Sequence, residues 1–137
     1  MATTAQDIFD MAIYMMDEQN EATGDTDTSD TAEYKLRTLG ILNVLRHEVY
    51  PYSDTYRQAG PGRPICPEIM DFVTPVALDD AIAQGVLPYG LAYHLLLGEN
   101  DTLADFFAQR YQEALAQQKA LPAEFEEIPL SYGGCGI

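Results

Sequence analysis

Positive charge is scarce in this chain: seven Lys and Arg residues stand against 22 Asp and Glu, a formal net charge of −15 over 137 residues. Such a balance repels nucleic-acid phosphates. The cations, Lys35, Arg37, Arg46, Arg57, Arg63, Arg110 and Lys119, are scattered and form no cluster that could follow a phosphate backbone. Specific nucleic-acid binding through a basic patch is therefore disfavoured. Cysteine is rarer still. Cys66 and Cys135 make no disulfide framework, and the N-terminus MATTAQDIFD has an acid where a secretory signal would carry positive charge and then an apolar run. The sequence reads as cytosolic. Long apolar runs are missing as well, because the longest is cut by Gly98 and Glu99, well short of the roughly 18 residues that span a bilayer. No membrane partner is expected.

The patterns that carry chemistry are equally sparse. His47 and His94 have no Cys, Asp or Glu at metal-ligand spacing on the same helical face, and no Gly-x-Ser-x-Gly elbow occurs. Each histidine reads as a partly buried, hydrogen-bonded residue. Cys66, between Pro64 and Pro67, lacks a CxxC partner, and Cys135 lies in a glycine-rich tail. Gly60 and Gly62 alternate with prolines, and no Gly-Lys-Ser/Thr follows to cradle phosphate. Asp25, Asp27 and Ser29 are spaced as in an EF-hand, but Asp30 stands where that loop needs glycine and Leu36 where it needs a bidentate glutamate. No catalytic, cofactor-binding or metal-ligating residue is assigned, and no enzyme activity is expected.

What the chain does have is helical periodicity, clearest over 87–115. Pro88 suits a first helical turn, and Leu91, Ala92, Leu95, Leu96 and Leu97 follow without a charge. Gly98 can end that helix in the left-handed region. Asn100 or Thr102 can cap the next one, whose apolar residues are Leu103, Phe106, Phe107, Tyr111 and Ala114. Near the N-terminus Thr4 and Asp7 form a capping box. The helix behind it has two apolar faces, Ile8, Met11, Ala12 and Met15 on one and Phe9, Ile13 and Met16 on the other.

Residues 17–30 are acidic and nearly free of apolar side chains, which predicts a solvated loop. A second helix is expected from Ser29 or Asp30 to about Tyr50. Its residues Leu36, Leu39, Ile41, Leu42, Val44, Leu45 and Val49 cover more than one face and predict the central helix. Pro51–Pro75 holds five of the eight prolines and reads as an ordered long loop with room for a short strand at Ile69–Val73. Leu78–Gln84 predicts a short helix stopped at Gly85. After Lys119, Ile128, Leu130 and Tyr132 alternate around Pro129 as in an extended edge strand.

The expected fold is all-α, a small bundle of four to five helices over residues 1–120 with an extended C-terminal tail over 121–137. Its core is drawn from Ile8, Met11, Leu39, Leu42, Leu45, Leu91, Leu95, Phe106 and Tyr111.

The order of these elements resembles the small head–tail connector (adaptor, or head-completion) proteins of tailed phages and prophages. The likeness rests on Asp30–Tyr34 opening the helix Leu36–Val49, on LPYGLA at 87–92, on FFAQRY at 106–111 and on the closing Tyr132-Gly133-Gly134. The resemblance implies a helical subunit, without a cofactor, that forms a homo-oligomeric ring between the portal and the tail. It would be found in the host cytoplasm during assembly and at the head–tail junction of the virion. Its partners would be further copies of itself, the portal and tail-completion proteins. A tail strand without a sheet of its own gains most by pairing with another chain, so Phe125, Ile128, Leu130 and Tyr132 are expected to engage Ile69, Met70 and Phe72 of an adjacent subunit. The competing reading is an acidic helical regulator or DNA mimic that binds one basic partner. It would not need the tail for self-assembly.

Overall fold

A computed structural model describes residues 2–56 and 65–120. Among these, five α-helices and one 3-10 turn make up an all-α bundle: α1 (Ala5–Met16), α2 (Ala32–Val49), the turn Tyr50–Tyr52, α3 (Asp80–Gly85), α4 (Leu87–Leu96) and α5 (Asp101–Ala120). The first cap forms as its residues dictate. The Thr4 hydroxyl accepts from the Asp7 amide at 3.2 Å, and the Asp7 carboxylate accepts from the Thr4 amide at 3.0 Å. Behind it, Ala5, Ile8, Phe9, Ala12, Ile13 and Met16 are buried in one broad stripe with Met11 and Met15 half-buried beside it, so the two apolar faces expected of α1 make a single core face.

The hairpin of α4 and α5 is built from equally local signals. Pro88 lies in the first turn of α4, Gly98 takes φ of +83°, and the Asn100 side chain accepts from the Leu103 amide at 3.1 Å. The Gly98 amide in turn donates to Asp101 at 2.9 Å. The uncharged α4 packs against each of the other four α-helices, so it is the central helix, a place the sequence had suggested for α2. The reason lies in α2 itself. It buries Tyr34, Thr38, Leu42, Leu45 and Val49, while Leu36 is 85% and Val44 69% exposed. Where α2, α4 and α5 meet, a side chain on Gly90 would stand 2.9 Å from both Leu45 and the Tyr111 ring, which explains why glycine sits there. Two hydrogen bonds then fasten α2 to the hairpin, from the Tyr34 hydroxyl to Glu99 and from the Tyr111 hydroxyl to Glu48.

Three expectations need correction. Phe106 is not core: α5 points Ala104, Phe107, Tyr111 and Leu115 inward, and Phe106 lies a third of a turn away, 52% exposed. Met11 and Leu39 are half-buried. No strand forms at Ile69–Val73, and the nearest pairing is an isolated bridge between Thr4 and Pro75. The loop is instead held by side chains. Asn43 donates to the Ile69 carbonyl at 2.9 Å and accepts from its amide at 2.8 Å, while the Phe72 carbonyl accepts from the Gln6 amide at 3.1 Å. The acidic loop likewise folds back on the bundle. The Thr26 hydroxyl donates to Asp10 at 2.6 Å, the buried Thr31 hydroxyl donates to the Thr26 carbonyl, and Asp27 pairs with Lys35 at 2.9 Å. Bonds within the loop, to Thr26 and Thr28, occupy the Thr31 hydroxyl, and α2 begins at Ala32 without a side-chain cap.

Candidate functional site

The residues able to do chemistry are dispersed. His47 is exposed on α2. His94 is half-buried on α4 beside the Tyr93 ring, 4.6 Å between centroids, and burial lowers its pKa against a smaller opposing pull from Glu48. Cys66 is buried, its thiol pushed up by desolvation, and its carbonyl accepts from Arg46. Among the described residues no three His, Cys, Asp or Glu side chains stand close enough together to hold a metal ion. No described helix is long and apolar enough to cross a membrane.

Among the described residues, exposed apolar side chains gather into hollows at two separate places, besides single ones such as Val44 and Ile65. The first is an open groove of about 770 Å³ on the N-terminal half of α2, walled by Ala32, Leu36, Leu39 and Phe72. Lys35 bridges its floor and rim. The ammonium lies 4.8 Å from the centroid of Phe72 and 5.9 Å from that of Phe9, and it pairs with Asp27. Phe72 is locked in turn by an edge-to-face contact with Phe9, 6.4 Å between centroids. Further along the same loop Met70 is 77% exposed, with Val73 as open.

The second place is a shallower hollow of about 490 Å³ formed by Met15 of α1, Tyr89 of α4 and Leu103, Phe106, Phe107 and Arg110 of α5. The Arg110 guanidinium covers the Tyr89 ring at 5.4 Å and pairs with Glu113 at 3.1 Å. The two surfaces share no residue.

Of the residues expected at a subunit contact, Phe72 walls the first groove and Met70 is exposed beside it, but Ile69 is buried and its main chain is taken by Asn43. Phe125, Ile128, Leu130 and Tyr132 lie outside the described residues. Phe106, expected in the core, and Leu36, left unplaced by the sequence reading, are the exposed residues of these surfaces, with Leu39 half-buried beside Leu36. Their signal was present as surplus: α2 and α5 each carry more apolar side chains than one buried stripe accommodates. The LPYGLA and FFAQRY segments prove to touch, through Gly90 against Tyr111 and Tyr89 against Arg110, so together they encode the α4–α5 hairpin. Compared with protein-family models, curated proteins and solved structures, the chain matches none.

Proposed function

We propose that the chain is a structural subunit of a phage or prophage head–tail connector, assembling with further copies of itself into a ring between portal and tail. The observation that supports this reading is a pair of unlike apolar hollows on separate elements of the described fold. Every copy in a ring must present two different patches, one to each neighbour, and a subunit that also contacts the portal or a tail-completion protein needs still more. Hollows of this size suit the seating of single apolar side chains from a partner. The net charge of −15 suits a channel past which DNA must slide without adhering. A DNA mimic would instead display carboxylates at its contact surface. Both surfaces here are apolar, with Asp27 the one acid among their lining residues.

The test is Phe106→Glu in the phage or prophage that encodes the chain. Phe106 is exposed, so the purified variant should keep its helical circular dichroism signal and melting temperature. Electron micrographs of the lysate should show filled heads and free tails in place of joined particles. An unchanged yield of infectious particles would overturn the reading.

A further inference from the structure

We infer that the groove on α2 receives the end of this chain's own tail, residues 128–132, from the same or an adjacent copy. The inference deepens the connector reading and rests on it where the tail comes from a neighbour. Three observations lead to this occupant.

The first is charge. Of the cations on α2, Arg37 and Arg46 are engaged by the Leu95 and Cys66 carbonyls, and Lys35 is the one that lines the groove. The tail interleaves its apolar residues Phe125, Ile128, Leu130 and Tyr132 with Glu124, Glu126 and Glu127, carboxylates that Lys35 at the groove wall can share with its present partner Asp27.

The second is where the tail departs. The Lys119 ammonium lies 5.5 Å from the centroid of Tyr52, so the last turn of α5 sits beside the 3-10 turn at the far end of α2. From Tyr52 back to Leu36 is about 24 Å along the helix at 1.5 Å per residue. The groove faces away from α5, so the path also passes round α2, and the ten residues from Leu121 to Leu130, about 33 Å when extended, are enough to bring Leu130 to it while Phe125 stays short of it.

The third is the mode of contact. Addition of a strand to the 65–74 loop is blocked, because the main chain of Ile69 is occupied by Asn43, the Phe72 carbonyl by Gln6, and the Val73 and Thr74 amides by Asp71. Recognition must therefore use side chains. In an extended segment Ile128, Leu130 and Tyr132 share one face, and Pro129 has no amide hydrogen that would need a partner.

The experiment uses the full-length chain carrying Cys135→Ser, with Leu36→Cys and Leu130→Cys introduced together. The control chain carries Phe106→Cys with Leu130→Cys, which offers the tail thiol the other apolar surface. Cys66 is buried and stays in place. Disulfide formation under mild oxidation is followed on non-reducing gels and by mass spectrometry. If the tail occupies the groove, the Leu36 pair links at least about tenfold faster than the Phe106 pair, because docking raises the effective concentration of the two thiols. A link within one chain upholds the inference and removes tail exchange from the connector reading. A link between chains upholds the inference and supplies a contact between copies that the connector reading can use. Equal rates, or a faster Phe106 pair, overturn the inference and leave the connector reading to its own test on particles.

Discussion

Tyr34 and Tyr111 show how single residues join this fold and how the joints can be loosened. Each buries its ring and donates its hydroxyl to a carboxylate, Glu99 and Glu48 respectively, and burial first and the hydrogen bond second raise both phenols above their ordinary value near 10. In the unfolded chain these tyrosines ionise near pH 10, while in the folded chain they hold their protons to higher pH. Their contribution is therefore fully present below pH 10 and is lost as pH rises through the folded pKa values. Denaturation midpoints should fall between pH 10 and 11.5, and the fall should be shallower in a Tyr34→Phe, Tyr111→Phe variant. Parallel curves for the two proteins would contradict this account. Tyr111 was legible as core from helical spacing, but its neighbour at 106 was misread. Phe106 and Phe107 have the same hydropathy, and only Ala104 and Leu115, which extend the line of Phe107 and Tyr111, show which phenylalanine faces in.

At the level of elements, legibility follows the range of the forces. The α1 cap and the α4–α5 turn were readable because Thr4, Asp7, Gly98 and Asn100 act within a few residues of themselves. The orientation of α2 was not readable, since its apolar residues surround it. Tertiary contacts chose a face that includes Thr38, whose hydroxyl is satisfied by the Tyr34 carbonyl at 2.9 Å. Nor could the 65–74 loop be read, because Asn43, which organises it, lies 26 residues from Ile69 and looks like any polar residue of a helix. Asn43→Ala tests that role. It leaves the Ile69 amide and carbonyl without partners, at a cost of about 1–3 kcal/mol. Hydrogen exchange should rise in residues 65–74 and stay unchanged in α4 and α5. Uniform loss of protection across the chain, or none, would show that the clamp does not hold the loop.

For the molecule as a whole, the all-α bundle was legible from periodicity, whereas its uncovered surfaces emerge only once the core is known. A chain of net charge −15 that still leaves Leu36 and Phe106 in solvent combines long-range repulsion with short-range adhesion. The connector reading proposed above reconciles the two, by holding copies at defined edges around a channel for DNA. The most direct measurement is the position of the chain in a particle. Particles are purified from a phage or prophage whose copy of the chain carries an N-terminal affinity tag, labelled with gold and imaged by electron microscopy. The account predicts gold at the junction of head and tail and nowhere else. Joined, infectious particles that lack the chain, or that carry it on the capsid shell or along the tail tube, would contradict it.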